Sequence, residues 1–292
     1  MKLLPVNLIL EGGAMRGMFT AGVLDAFDEK NLLFEFVIGV SAGSCMGASY
    51  ISRQKGRSRN ITLTYRHNPR YFGLRNLLRE GNIFSAQFAY EEIPRKLNPF
   101  DYQTFEKSQQ RFVVVATDCT TGQAVYLKND TKEHIDNMIE AIRASASMPF
   151  VSKPVPIENM YLLDGGIADS IPIEYAMKNG YDKSVLILTR PKGYLKSTKG
   201  TLALFKFLLP RYPKLAEAFY RRAEQYNRSL ALAEKLAEDG KCMIIYPPPD
   251  IKAGRLEGNL KKLDELYQVG YKTGLECAEK LNDFLKIERI KE

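Results

Sequence analysis

A chain of 292 residues is long enough to bury one substantial core, and 45% hydrophobic with 26% charged residues is ordinary for a globular protein and excludes intrinsic disorder. The net charge of +8 is concentrated, because residues 190–228 contain ten Lys or Arg and two acidic residues and so hold the whole excess. No stretch reaches the roughly 18 consecutive apolar residues of a membrane-spanning helix, so we expect a protein that does not cross a bilayer.

Two further features bear on the location of the protein in the cell. The first ten residues are largely apolar and superficially resemble a signal peptide, but Pro5 and Asn7 interrupt the run and glycines follow it where a cleavage site would stand. A buried first strand explains the run better. The four cysteines are far apart and have no metal-ligand spacing, which predicts reduced thiols in a cytoplasmic protein.

Apolar runs alternate with helical patterns along most of the chain. Continuous apolar runs are typical of strands that helices cover on both faces, and their alternation with helices indicates a parallel sheet. The sequence therefore predicts an α/β fold of three layers, with a mostly parallel central sheet covered by helices. The predicted strands are residues 6–10, 34–40, 111–117, 184–189 and 243–246, and the predicted helices include residues 18–30, 42–52, 135–145 and 260–286.

Two segments lie outside this alternation. Residues 55–106 are polar, aromatic and weakly periodic, and we predict that they form an insertion over one end of the sheet. Residues 191–292 read as a basic, helical C-terminal extension of a core that spans about residues 5–190. Because no repeat or linker separates these parts, we predict a single domain over residues 1–292.

Residues 39–43 have the form Gly-x-Ser-x-Gly, with Ser41 at the centre, at a point where an apolar strand gives way to a helix. A serine on such a tight turn is exposed to substrate, and Gly39 and Gly43 leave room for neighbouring backbone. The start of the helix also favours a developing alkoxide. Ser41 is therefore a candidate nucleophile; the alternative is that its hydroxyl only caps the helix.

A glycine-rich loop, residues 12–17, follows the first predicted strand. Its backbone N–H groups, notably those of Gly12, Gly13 and Ala14, can point at one anion, either a nucleotide phosphate or the oxyanion of a tetrahedral intermediate. The dinucleotide-binding pattern does not fit, because Ala14 stands where its second glycine would be, and no Gly-Lys-Ser/Thr of a nucleotide hydrolase follows. The alternative is a tight turn with no ligand.

The histidines restrict the mechanism. Only His67 and His134 are present, both in polar stretches, whereas α/β hydrolases with a Ser-His-Asp triad carry the histidine late in the chain. If Ser41 is a nucleophile, a carboxylate is then the natural proton acceptor. Asp164, which two glycines follow, is a candidate, although an aspartate before glycine more often marks a turn.

In their order along the chain, these motifs resemble the patatin-like phospholipase family, in which an Arg-Gly loop precedes Gly-x-Ser-x-Gly and then Asp-Gly-Gly. Residues 22–24, 143–149 and 164–172 also match, so the resemblance covers about residues 5–190. It implies a lipid acyl-ester hydrolase of the phospholipase A or lysophospholipase type, with a catalytic dyad and an acyl-enzyme intermediate. By this resemblance Ser41 is the nucleophile, Asp164 is the base, Gly12, Gly13 and Ala14 form the oxyanion hole, and Arg16 braces that loop.

Ala14 departs from the family pattern, which usually has a glycine there. An alanine fits without strain only if its φ is negative; a positive φ would strain or reshape the loop. Two other functions therefore stay open. One is a non-catalytic patatin-fold protein that binds lipid or regulates a partner, and the other is a serine hydrolase that uses His134.

The expected partners follow from this chemistry and from the basic segment. Acyl transfer by a Ser-Asp dyad needs no metal and no organic cofactor, and the expected substrate is a lipid or another acyl ester. Residues 196–214 mix apolar side chains with lysines and arginines, which suits peripheral contact with an anionic membrane; the alternative is a helix packed on the core with solvated lysines. No nucleic-acid-binding motif accompanies the charge, so nucleic acid is not expected.

Overall fold

The computed structural model describes residues 3–129, 138–178, 181–250 and 253–285. Within these ranges, eight strands form one sheet. They are β1 (Leu4–Leu10), β2 (Phe34–Val40), β3 (Arg111–Asp118), β4 (Ala124–Lys128), β5 (Val155–Ile157), β6 (Met160–Asp164), β7 (Ser184–Ile187) and β8 (Cys242–Ile245).

Helices connect the strands and cover the sheet. None of those in the described ranges combines the length and the apolar composition that a bilayer crossing requires. The α-helices are α1 (Gly17–Glu29), α2 (Ala42–Ile51), α3 (Arg57–Tyr65), α4 (Leu74–Glu80), α5 (Tyr102–Lys107), α6 (Met138–Ser145), α7 (Ile173–Met177), α8 (Leu202–Leu208), α9 (Pro213–Glu238) and α10 (Leu260–Leu285), and a π-helix spans Phe88–Leu97.

The sheet is mostly parallel. Strands β3, β2, β1, β7 and β8 lie side by side in this order and run in one direction, whereas β4 and β6 pair antiparallel with β3, and β5 pairs antiparallel with β6. The parallel strands are those that the apolar runs predicted. The sequence did not predict β4 and β5, because β4 buries only Leu127 and β5 has three residues, so neither leaves a strong apolar pattern.

Successive side chains of the central strands enter two different apolar layers. In β1, Leu8 and Leu10 pack with α1, α2, α6 and α10, whereas Ile9 packs with α7 and α9 on the opposite face. All three side chains are fully buried. This alternation is what a strand covered on both faces requires, and it confirms the predicted three-layer α/β fold.

The C-terminal helix α10 packs closely against α1. A Cβ atom at Gly270 would lie 2.1 Å from the carbonyl oxygen of Phe19, so the two backbones approach to a distance that only glycine permits. The hydroxyl of Tyr267 on α10 donates a 2.9 Å hydrogen bond to Asp25 on α1, and burial raises the pKa of that carboxyl to about 6. The C-terminal extension is thus joined to the first helix of the core.

Candidate active site

Two consecutive residues of β3 bring Ser41 and Asp164 together. Val115 pairs with Val40, the last residue of β2, and Ala116 pairs with Asp164, the last residue of β6. Because Ser41 follows β2 directly, both candidate residues emerge at the same point along β3. Both also line one cavity of about 460 Å³.

Ser41 sits on a sharp turn between β2 and α2. Its φ of +55° and ψ of −124° lie in a region that residues other than glycine rarely adopt. The flanking glycines are needed because a side chain would not fit at either position. A Cβ atom at Gly39 would lie 2.7 Å from the Cα of Ser44, and one at Gly43 would lie 2.4 Å from the Leu10 carbonyl oxygen. The Ser41 side chain makes no capping hydrogen bond to α2, so the helix-cap alternative does not describe it.

Asp164 is almost completely buried, with 1% of its surface exposed. The Gly166 N–H donates to Oδ1 at 2.7 Å. Burial raises the pKa of the Asp164 carboxyl, and the positive charge of Arg222 and the hydroxyl of Ser41 oppose that shift. The Ser41 hydroxyl is thus close enough to interact, yet no well-aligned hydrogen bond from a described residue reaches Oδ2. Hydrogen bonds of this kind are often long or bent in an empty site and tighten around substrate.

One segment, residues 143–149, holds the backbone of both residues. The Ser145 hydroxyl accepts from the Ser41 N–H at 2.8 Å and donates to the Val115 carbonyl at 2.6 Å. The carbonyl of Ser147 accepts from the Asp164 N–H at 2.8 Å. The sequence singled out this segment only as a match to a family pattern, and it gave Ser145 and Ser147 no role.

The glycine-rich loop lies against Ser41. A Cβ atom at Gly12 would lie 2.7 Å from that of Ser41, and the loop lines the same cavity. Among the described residues, no acceptor takes up the N–H groups of Gly12, Gly13 and Ala14. Ala14 has a φ of +49° and is therefore in the strained, left-handed conformation. A left-handed alanine costs about 1–2 kcal/mol.

Arg16 ties this loop to the end of β7. It is 5% exposed, and its Nε donates to the Thr189 carbonyl at 3.1 Å. Thr189 in turn donates to the Glu11 carboxylate from its N–H at 2.6 Å and from its hydroxyl at 3.0 Å. Burial lowers the pKa of Arg16 to about 10, with further contributions from neighbouring charges. The arginine thus lies behind the loop.

The cavity has an apolar wall and a cationic wall. Among the described residues, four cationic side chains line it together with Ser41 and Asp164. Arg143 forms an ion pair with Glu140, and Lys196, Arg222 and Arg255 make up the cationic wall. The sequence counted Lys196 and Arg222 only as part of a basic surface, and no local motif marks any of the three. The apolar wall includes side chains of the predicted insertion, residues 55–106, and its members include Met18, Met46, Ile83, Phe84, Tyr90 and Met148.

His67 is not among the residues that line this cavity. His67 is exposed, and its Nε2 lies 2.7 Å from the Gly258 carbonyl oxygen. His134, the candidate of the triad alternative, lies outside the described residues. Among the described residues that line the cavity, Asp164 and Glu11 are the carboxylates. Thr189 already occupies Glu11, which leaves Asp164 as the carboxylate beside Ser41.

The cavity of this α/β fold thus joins a serine elbow, a buried carboxylate and an apolar wall. Residues 8–177, more than half of the chain, match the family model described as patatin-like phospholipase. The chain therefore belongs to the patatin-like phospholipase family, and the resemblance seen in the sequence is confirmed. A second family model, described as a domain of unknown function, matches residues 212–286.

Several relatives are similar along nearly the whole chain. An uncharacterized protein, YjjU of Escherichia coli K12, is 27% identical over 91% of this chain and 74% of its own length. The lysophospholipase nte1 of Aspergillus terreus is 27% identical over 95% of this chain, which spans only 18% of that protein. Among solved structures, VipD of Legionella pneumophila aligns with a TM-score of 0.48 and 13% identity over 94% of this chain and 67% of that one.

Proposed function

We propose that this protein hydrolyses acyl esters of lipids, with Ser41 as nucleophile and Asp164 as its proton acceptor. The observation that carries the proposal is the meeting of three groups in one cavity: a serine on a strained elbow, a buried carboxylate and a loop of free amides. The fungal relatives named as lysophospholipases support a lipid ester as the substrate. The apolar wall is suited to an acyl chain.

The proposed reaction has two steps. The Ser41 Oγ attacks the ester carbonyl carbon while Asp164 takes up the hydroxyl proton, and the N–H groups of Gly12, Gly13 and Ala14 stabilise the oxyanion. The intermediate collapses to an acyl-enzyme, and the departing alcohol leaves with the proton. Water then attacks the acyl carbon and gives a proton to Asp164. The bond between the acyl carbon and the Ser41 Oγ breaks, Asp164 returns the proton to that oxygen, and the fatty acid is released.

The test compares wild type with Ser41→Ala and Asp164→Asn on an activated acyl ester and on a lysophospholipid. We expect Ser41→Ala to reduce turnover to background and Asp164→Asn to reduce it by about 10²–10⁴-fold, since a positioned base contributes about that factor. A fluorophosphonate probe followed by peptide mapping should label Ser41. His134→Ala should retain activity.

Other outcomes would select the alternatives. Loss of turnover in His134→Ala would favour a histidine base, and labelling of another serine would remove Ser41 from the mechanism. One common background rate for wild type and both variants would indicate a non-catalytic protein that binds lipid or regulates a partner. Circular dichroism and thermal unfolding of each variant check that the fold is kept.

We further propose that the mouth of the cavity contacts an anionic membrane surface. Two short helices with exposed apolar side chains support this: Leu78 of α4 is 88% exposed and Phe207 of α8 is 80% exposed. Exposed arginines and lysines accompany both helices, at positions 75 and 79 in the first case and at 199, 206, 211 and 214 in the second. Apolar side chains beside cationic ones are typical of peripheral contact with anionic lipid.

Both helices adjoin a segment of the cavity wall, residues 148–152. The N–H of Ile83, in the turn that follows α4, donates to the Val151 carbonyl at 2.7 Å. The ring centres of Phe150 and Phe219 lie 5.7 Å apart, and those of Phe219 and Phe205 lie 4.9 Å apart. Phe205 lies on the buried face of α8. Contact through the two helices would therefore bring the cavity next to lipid.

A further inference from the structure

The three cationic side chains beside Ser41 come from different parts of the chain and converge on one wall. Arg222 lies on α9, Lys196 lies in the connection after β7, and Arg255 precedes α10. The backbone of Lys196 makes two hydrogen bonds to the side chain of Asn227 on α9. The Lys196 N–H donates to that side chain at 2.9 Å, and the Lys196 carbonyl accepts from it at 2.9 Å. The position of this lysine is thus fixed by the fold.

These side chains keep most of their hydrogen-bonding capacity. Arg222 uses Nε to donate to the Gly166 carbonyl and has further N–H groups to offer. The Lys196 ammonium lies 3.7 Å from the centre of the Tyr226 ring, and among the described residues its one hydrogen-bond partner is the Ser170 hydroxyl, at 3.5 Å. Within the described ranges, the Arg255 guanidinium has neither a carboxylate partner nor a hydrogen-bond acceptor. The wall therefore holds positive charge with free donors.

We propose that Lys196, Arg222 and Arg255 bind an anionic phosphate group of the substrate, and that the site selects acyl esters with a net negative headgroup over those with a zwitterionic one. This inference rests on the proposed ester hydrolysis. A phosphate offers several oxygen acceptors, and the planar guanidinium groups match its geometry. Burial lowers the pKa of Lys196 to about 6, with a further contribution from Arg222, and a bound anion would raise that pKa because it stabilises the protonated ammonium.

The same wall disfavours a choline or ethanolamine headgroup. A second cation would need a free carboxylate nearby, and the described lining residues offer only Glu11 and Asp164. Glu11 is 3% exposed and its Oε2 accepts two hydrogen bonds from Thr189, and Asp164 must stay free to accept the Ser41 proton. The positive charge of a zwitterionic headgroup would therefore lie among other positive charges, with no free carboxylate among the described lining residues to pair with it.

The experiment uses short-chain lysophospholipids as monomers below the concentration at which they aggregate, so that charge on a lipid surface plays no part. The acyl chain is held constant while the headgroup is phosphate, phosphoglycerol or phosphocholine. We expect wild type to favour the two anionic substrates in kcat/KM. Arg255→Gln and Lys196→Gln should each reduce that preference by about tenfold, the value of one charge-assisted hydrogen bond. The matched control is Arg221→Gln, the exposed neighbour of Arg222, which should keep the preference.

Binding to the inactive Ser41→Ala protein gives a readout that is independent of turnover. By calorimetry, hexyl phosphate should bind to it more tightly than inorganic phosphate, and Arg255→Gln should weaken that binding by about tenfold. If both ligands bind equally, the wall holds free phosphate rather than a lipid headgroup and the inference is wrong.

The kinetic outcomes separate this inference from the proposed function. If wild type hydrolyses anionic and phosphocholine substrates equally, and both substitutions leave the ratio unchanged, ester hydrolysis stands and the anion site is refuted. If no ester is hydrolysed but hexyl phosphate binds in a manner sensitive to Arg255, the anion site stands and hydrolysis is refuted. Thermal unfolding of each variant accompanies the kinetics to exclude loss of fold.

Discussion

At the level of single residues, the least usual group in the site is the Asp164 carboxyl. It is buried, its Oδ2 has no partner among the described residues, and its pKa is raised by burial. A raised pKa is useful in a base only while the group stays ionised at the working pH. Arg222 helps to keep it so, because its positive charge lowers the same pKa. A single arginine thus bears both on the ionisation of the base and on the proposed anion site.

This arrangement predicts a shift in pH dependence. The ionised carboxylate is the active form, so kcat/KM should fall as the pH falls through the pKa of Asp164 in the free enzyme. Arg222→Gln removes a charge that lowers this pKa, and the acid limb should therefore move to higher pH. The measurement is the pH profile of kcat/KM on an uncharged activated ester. Arg221→Gln should leave the limb in place, and a limb that stays or moves to lower pH in Arg222→Gln would show that another group controls it.

Ala14 predicts a stabilising substitution inside the glycine-rich loop. With a φ of +49°, alanine is strained by about 1–2 kcal/mol, whereas glycine adopts this conformation freely. Ala14→Gly should raise the free energy of unfolding by about 0–1 kcal/mol, because relief of strain exceeds or matches the extra entropy of the unfolded chain. Turnover should change little, since the amide positions are kept. Denaturant unfolding measures the first effect and ester hydrolysis the second.

The matched control is Ala48→Gly in α2, where the alanine is buried in regular helix. Glycine there should be destabilising by about 1 kcal/mol or more. The two alanine-to-glycine substitutions should therefore differ in sign or clearly in size. A loss of stability at position 14 equal to that at position 48 would mean that the backbone at Ala14 is not left-handed.

At the level of elements, α4 and α8 are unusual because each turns large apolar side chains to solvent. α8 nevertheless packs on the protein through Phe205, which contacts Phe219. Its exposed face carries Phe207 as well as charged side chains. The positive charge near α8 is partly neutralised, because Lys206 of α8 and Lys214 of α9 both pair with Glu217, at 3.0 and 3.3 Å. The apolar side chains should thus provide much of any membrane affinity, and charge should modulate it.

Liposome binding tests the two helices. Wild type should bind more as the anionic lipid fraction rises and less as salt is added. Phe207→Ser and Leu78→Ser should each reduce binding by about tenfold, since each loses the insertion of one large apolar side chain. Leu97→Ser, an exposed leucine outside both helices, should bind like wild type. Equal binding to neutral vesicles would contradict the electrostatic part, and unchanged binding of both variants would contradict the contact surface.

At the level of the whole molecule, the sequence predicted what local patterns encode. The parallel strands and the bounds of α1 and α2 followed from apolar runs and turn residues, because buried strands must be apolar along their whole length. Ser41 stood out through its turn. Asp164 did not stand out by itself, and only resemblance to a family joined it to Ser41. The reason is topological, since the two meet through adjacent pairings on β3, which no local pattern reveals.

The cationic wall was beyond sequence reasoning for a similar reason. Lys196, Arg222 and Arg255 look like any surface lysine or arginine until the chain returns to the site more than 150 residues after Ser41. Two of them belong to the range that the second family model matches, residues 212–286. Helix α9 and the segment before α10 thus contribute to the cavity, and one domain over the chain stays a prediction.

One domain predicts one unfolding transition, and a substitution in α10 can test it. Gly270→Ala would put a Cβ atom 2.1 Å from the Phe19 carbonyl oxygen on α1 and force the two helices apart. Overpacking of this kind costs about 1–3 kcal/mol, or a Tm shift of about 2–10 °C. By scanning calorimetry we expect a single peak that moves down as a whole, because Tyr267 and its neighbours on α10 help to bury α1. Lys272→Ala, exposed on the same helix, should leave the peak unchanged. If Gly270→Ala instead split off a second, lower transition while the first kept its Tm, residues 260–285 would fold separately, and α10 would be docked on α1 rather than part of a shared core.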